Sequence, residues 1–362
     1  MIHYIVGRNL GHLSRCVANI EKYKKIGNQS IKVFTFPHSH SWIRSNLPKV
    51  KVKDFSKKKL AKNPKPFLDA QLIIHDWRKE VEWLKKSRGK KGPIIGGIYH
   101  SDMFTTGEDS EWTTTFKNEI REVADKTTDI FFHMNLLPPK RSPKLSSYYY
   151  PIPIISREIS MSPKKVKKIL GLKPDERFIL IHMGGGIGPF RYRYMDEWYE
   201  KLSRIKTPYR LVVANQFGGM KAKFPKSIIV APLFTNGPDL INAADMVISK
   251  PGMGIMIDCI TTGTPLLALP ADSKERQVKN MMLKDLIGHD LCLVRKNASA
   301  QYVSKQVQEY MDESDRVQHV FERIPRNGAD VMARCMKKLS NCSIRDLPDL
   351  YPDLLKLSPY HS

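Results

Sequence analysis

The feature that most constrains this chain is an alternation of strand-like and helix-like segments that runs through it twice. In the first half, short apolar runs, "IHYIV" (2–6), "KVFTF" (32–36), "AQLIIHD" (70–76), "PIIGGIY" (93–99) and "DIFFHM" (129–134), are separated by segments with helical spacing, as around 81–84 and 116–124. Strands joined through helices pair in parallel and bury both sheet faces under those helices. The second series is "RFILIHMGGG" (177–186), "YRLVVAN" (209–215), "SIIVAP" (227–232), "DMVISKPG" (245–252), "TPLLALP" (264–270) and "LCLV" (291–294). Helical patterns at 195–205 and 278–286 fall within it, and a long helical tail follows over 300–339. Between the two series, residues 136–158 are rich in Pro and Ser and show no period, which reads as an interdomain connection. The expectation is an α/β protein with two Rossmann-like domains, 1–150 and 151–345, and a tail, 346–362, free to pack back on the first. A length of 362 residues suits two cores. In such folds ligands bind at the carboxyl ends of the strands, here in a cleft where the two domains face each other.

The glycine-bearing turns carry the candidate chemistry. "GRNLGHLSRC" (7–16) follows the first strand and opens a helix, so His12 sits near a helix N-terminus at a strand's carboxyl end. The same stretch also suits an ordinary turn with a surface histidine. "HMGGGIGPF" (182–190) places Gly184, Gly185 and Gly186 in another strand-to-helix turn, where backbone N–H groups can approach phosphate oxygens. No Gly-Lys-Ser/Thr follows, so this is not a Walker A loop.

Residues 243–281 are more informative. They read as strand, glycine turn, helix, second turn, strand and polar loop. Gly252, Met253 and Gly254 expose helix N-terminal amides, a ready site for a diphosphate, and Lys250 adds a cation beside them. Asp258 lies one turn further along and can accept the two hydroxyls of a ribose. Gln277 and Asn280 carry amides able to read sugar hydroxyls.

These residues together resemble the nucleotide-sugar signature of GT-B glycosyltransferases, in the branch related to the bacterial N-acetylglucosaminyltransferase that completes the peptidoglycan lipid intermediate. The resemblance implies a donor diphosphate at the glycine turn, ribose on Asp258 (where the family usually has Glu), and the donor sugar on Gln277 and Asn280. It also implies that 184–186 is the family's second glycine loop and that "GRNLGH" is its N-terminal loop ending in Gly-His, with Arg8 and Asn9 where small residues are common. The implied donor is a UDP-sugar, with no other cofactor. The likeness fades over 40–150, where the acceptor is expected to bind.

An inverting transfer needs a group to take the acceptor's hydroxyl proton, and imidazole suits that task near neutral pH. His12 is the first candidate. Asp102, in "YHSDMF", is the second, with His100 to orient it. Relatives that hydrolyse nucleotide sugars use the same loop on water, so hydrolysis stays open, as does a small-molecule acceptor. No DxD follows a strand, so a metal-independent enzyme is expected. Arg15 is a candidate phosphate ligand or a structural arginine, and Arg191 a candidate partner for the leaving diphosphate.

Charge bears on the acceptor. The chain carries 60 Lys and Arg against 36 Asp and Glu, a net charge of +24. Such an excess favours polyanionic partners. It is concentrated at 49–65, including Lys57, Lys58 and Lys59, and at 85–91, including Arg88 and Lys90. Aromatic residues among these cations suit a nucleic-acid groove, and the favoured acceptor is a hydroxymethylated base in DNA. A lipid-linked saccharide on an anionic membrane is the alternative, and an unpartnered lysine-rich surface is a third reading. The five cysteines are scattered without a CxxC pair, and no signal-peptide layout or membrane-length apolar run is visible, so a cytoplasmic protein is expected, with peripheral membrane contact under the lipid reading.

Overall fold

The computed structural model describes residues 1–89, 91–101, 110–184, 191–216 and 222–361. They form two compact units, one of residues 1–156 with 325–362, the other of 157–324. The expected second domain, 151–345, runs past this division, because helix Gly328–Leu339 packs along helix Leu10–Ile26 of the first unit.

The first unit is built on β1 (Ile2–Ile5), β2 (Ile31–Thr35), β3 (Lys51–Asp54), β4 (Leu72–Asp76), β5 (Ile94–His100), β6 (Ile130–Met134) and β7 (Tyr148–Ile152). All pair in parallel, in the order β3-β2-β1-β4-β5-β6-β7. The central strands are apolar on both faces; Ile5, Ile74, Ile95 and Phe132 are fully buried, as a sheet covered by helices requires. Two strands go beyond the sequence expectation. β3 alternates buried Val52 with exposed Lys51 and Lys53, a period of two hidden among lysines. β7 lies within the stretch that reads as a connection; its Pro151 is tolerated because β7 is an edge strand. The C-terminal residues bind beside it. Tyr150 donates its hydroxyl to the Leu354 carbonyl at 2.6 Å, and Ser358 donates to Pro151.

The second unit contains β8 (Phe178–His182), β9 (Arg210–Val213), β10 (Ile229–Val230), β11 (Met246–Ser249) and β12 (Leu266–Ala268), parallel in the order β10-β9-β8-β11-β12. The run at 291–294 is not a strand. It is a short 3-10 turn, Asp290–Cys292, with one bridge from Leu293 to Ala268. The helical tail is three helices, Ala300–Asp312, Ser314–Glu322 and Gly328–Leu339, the last in the first unit. In both sheets the strand order reverses once, at β1/β4 and at β8/β11, and the topological switch points fall there.

Candidate active site

At the switch point of the first unit, the loop after β1 leads into helix Leu10–Ile26, with Asn9 as the N-cap. The loop runs close to Arg78, whose Nη1 would lie 3.1 Å from a Cβ added at Gly7. His12 is in the first turn of this helix. Its Nδ1 lies 2.6 Å from Oδ1 of Asp76, the last residue of β4. Arg15, one turn on, approaches the same carboxylate twice, Nε to Oδ2 and Nη2 to Oδ1, both at 2.9 Å. Asp76 is fully buried and Arg15 nearly so, whereas the His12 side chain keeps 23% of its surface exposed. The imidazole is thus the accessible member of the group.

Burial alone would raise the Asp76 carboxyl; the charges and hydrogen bonds of Arg15 and His12 overcome it and hold the group far below the usual carboxylate range. An ionised carboxylate has no hydrogen to give, so Nδ1–H of His12 must donate to it. In the neutral ring that leaves the lone pair on Nε2, the arrangement a proton acceptor needs. Arg15 therefore braces Asp76 and is not turned to a ligand. In the sequence Asp76 is no more than the end of a strand. The signal that could have found it is an acidic residue closing a strand that pairs directly with the His-bearing one.

Beyond Asp76, Trp77 is the one non-glycine residue with positive φ among those described, at 48°. Its ring stacks on Tyr99 at 3.8 Å between centroids, and His100 stacks on Tyr99 in turn at 5.4 Å. Strained backbone and layered rings thus stand at the carboxyl ends of β4 and β5. Asp102 lies outside the described residues, as does Lys90.

The basic clusters divide. Lys58 and Lys59 are exposed, while Lys57 reaches Glu80 at 2.8 Å. Arg88, expected among the polyanion-binding residues, is instead turned inward: its Nη1 donates to the Pro93 carbonyl at 3.1 Å and pairs with the buried Asp129. Lys85 donates to the carbonyls of Asp125 and Thr128. Lys85 closes the end of helix Glu111–Thr127, and Arg88 ties together the entries to β5 and β6, so neither offers its charge to a polyanion.

The second unit places its glycine turns at the other switch point. Gly184 follows β8 with φ of +76°, and a Cβ there would meet Lys250 Cε at 2.8 Å, so glycine is what lets the Lys250 chain cross the turn. Gly184 does not offer its amide to a ligand, the role its sequence context suggests; the N–H donates to His182 Nδ1 at 3.0 Å. Gly185 and Gly186 lie outside the described residues. Gly252 is the N-cap of helix Met253–Thr262, with Met253 buried and Gly254 in the first turn. Burial, then the charges of Arg276 and Lys279, bring Lys250 down to about 8. Burial pushes Asp258 up to about 7, with Arg157 opposing it only in part. A carboxyl so poised gains from any ligand that donates hydrogen bonds to it.

Gln277 is exposed on helix Lys274–Ile287. Asn280 is buried, and its Nδ2 is committed to the Leu269 carbonyl at 3.1 Å; among the described residues its Oδ1 has no hydrogen-bond partner. Arg191 forms a two-pronged pair with Asp196, at 2.7 and 2.8 Å.

No family model matches the chain. One curated relative, the UDP-N-acetylglucosamine--N-acetylmuramyl-(pentapeptide) pyrophosphoryl-undecaprenol N-acetylglucosamine transferase of Halalkalibacterium halodurans, is 26% identical over 159 residues. That match spans 40% of this chain and 42% of the relative, less than half the length of either. Among solved structures, UGT2 of Phytolacca americana, complexed with UDP-2fluoro-glucose and pterostilbene, superimposes with a TM-score of 0.66 at 13% identity, over 94% of this chain and 98% of its own. UGT89C1 of Arabidopsis thaliana, complexed with UDP, gives 0.60 at 14% identity, over 98% and 99%. At such identities the likeness is one of fold. The chain has the α/β fold of the GT-B glycosyltransferases, with two Rossmann-like domains, and over part of its length it resembles the N-acetylglucosaminyltransferase branch.

Proposed function

We propose that the protein is an inverting, metal-independent glycosyltransferase that moves a hexose, of glucose or N-acetylglucosamine type, from a UDP-sugar to a hydroxyl acceptor. The observation that carries this reading is the His12–Asp76 pair at the first switch point, with the His12 proton fixed on Nδ1 by a buried carboxylate. His12 Nε2 takes the acceptor's hydroxyl proton as that oxygen bonds to the anomeric carbon. The bond from that carbon to the donor phosphate oxygen breaks in the same step, and the electron pair leaves with UDP. The second unit would hold the donor. Lys250 and the amides at Gly252, Met253 and Gly254 balance the diphosphate charge, and Asp258 accepts the ribose hydroxyls. Gln277 and the unpartnered Oδ1 of Asn280 would read the sugar hydroxyls. The UDP complexes among the structural neighbours support uridine as the nucleotide. Purified protein given UDP-glucose or UDP-N-acetylglucosamine in the presence of EDTA should transfer or release sugar; no turnover of either donor overturns the reading.

For the acceptor, we favour a hydroxymethylated base in DNA, gripped at the exposed lysines of β3 and helix Lys57–Lys62. The curated relative supports a second reading, a lipid-linked saccharide reached from an anionic membrane surface. Among the described residues no helix is long and apolar enough to cross a membrane, so contact under that reading is peripheral. Partition of label between DNA and lipid separates the two.

A further inference from the structure

His182 stands two residues before Gly184 in the sequence, and none of the roles above falls to it. It is the last residue of β8, the strand on one side of the second switch point. The Gly184 amide donates to its Nδ1 at 3.0 Å. An amide nitrogen cannot accept, so Nδ1 carries no hydrogen, and the neutral ring must carry its proton on Nε2. Burial, with Lys250 nearby, keeps the imidazole neutral by bringing it down to about 4. The hydrogen-bond logic fixes the tautomer independently of that shift. Among the described residues Nε2 has no hydrogen-bond partner, and the residue is not completely enclosed. Lys250 crosses the same turn, its Cε 2.8 Å from where a Gly184 Cβ would be. β8 and β11 are further tied by Ser249, whose hydroxyl donates to the His182 carbonyl at 2.5 Å.

We infer that His182 is a diphosphate-binding residue, donating Nε2–H to a phosphate oxygen of the nucleotide beside the Lys250 ammonium. The two groups divide the work. Lysine supplies a point charge, and histidine supplies a directed donor whose tautomer the glycine turn locks. The neutral ring does not compete with Lys250 for protons. The inference rests on the donor reading given above and adds to it a ligand contact that the glycine pattern does not contain.

Two substitutions separate binding from mere support of the turn, because each preserves one end of the ring. Asparagine in place of His182 can still accept from the Gly184 amide but has nothing at the Nε2 position. Glutamine places an N–H near Nε2 and leaves the Gly184 amide unpaired. Calorimetry with UDP on the full chain should show His182→Asn weakening UDP by about tenfold, the scale of one hydrogen bond to a charged group. His182→Gln should stay within about threefold of the wild type, the rest of that one bond being retained. The reverse order, glutamine weak and asparagine unchanged, would show that the ring only props the turn and would overturn the inference. So would two variants that both bind like the wild type, or that both fall equally. A wild-type protein that binds no UDP overturns the donor reading itself, and this inference with it.

Discussion

At the residue scale, two carboxyls are shifted in opposite directions. Asp76 is held ionised by Arg15 and His12, so it adds stability above the ordinary carboxylate range and loses it as pH falls. Replacing Arg15 by Leu removes the main counter-charge of a fully buried carboxylate. It should cost about 3–5 kcal/mol, read in a denaturant titration; an unchanged midpoint would mean that Asp76 is not ionised. Asp258 is the opposite case. It sits near 7 in the folded protein against an ordinary value of 3.8, so stability at this position is lost as pH rises between those values. Asp258→Asn should therefore raise the thermal midpoint at about pH 8 and change it much less at about pH 4, near the lower edge of that window, where the folded carboxyl is already protonated. Ribose hydroxyls donate best to the ionised form, so the ratio of wild-type to Asp258→Asn affinity for UDP should climb through about pH 7, the titrations of Lys250 and of the phosphate being common to both proteins. A ratio that does not change with pH would remove Asp258 from the donor site. His12 is legible because a Gly-His turn after a strand is a local pattern. Asp76 is not, because its link to His12 spans 64 residues and exists only once β1 and β4 pair.

At the element scale, the same contrast explains which strands can be read. β1, β4 and β5 are continuous apolar runs whose burial on both faces follows from composition alone. The edge strands lack that signature. β3 shows one buried valine between exposed lysines, and β7 carries a proline. The lysines of β3 have a structural use besides any ligand, since charge on a sheet edge discourages pairing with another chain. Arg88 and Lys85 belong by sequence to a basic cluster, yet both are turned inward, because cations near buried carbonyls and carboxylates gain more from them than from solvent. The sharpest packing test is Gly328, at the start of helix Gly328–Leu339. A Cβ there would lie 2.2 Å from the Pro153 carbonyl oxygen and 2.6 Å from that of Ile154. Gly328→Ala should destabilise the protein by about 1–3 kcal/mol, the usual cost of overpacking. Wild-type stability would mean that the helix shifts freely.

At the scale of the whole molecule, the chain leaves its first unit after Ser156 and returns at Pro325. The division near 150 is readable from composition, but the return is not, since a helix does not announce which core it will cover. A chain cut after residue 324 should lose the cooperative unfolding of the first unit, because helix Leu10–Ile26 is then left without its partner. The net charge of +24 carries the acceptor proposal through salt dependence. If DNA is gripped at 49–65, replacing Lys58 and Lys59 together should reduce the slope of log K against log salt by roughly 0.9 for each phosphate no longer neutralised. The most direct measurement offers radiolabelled UDP-glucose and UDP-N-acetylglucosamine to wild type and His12→Ala, with hydroxymethylated DNA, plain DNA and anionic lipid extract as acceptors. Wild type should place label on an acceptor, hydroxymethylated DNA under the favoured reading. His12→Ala should bind UDP normally yet transfer about 10²–10⁴-fold more slowly. Label transferred at equal rates by the two proteins, or no turnover of either donor by the wild type, would contradict the account.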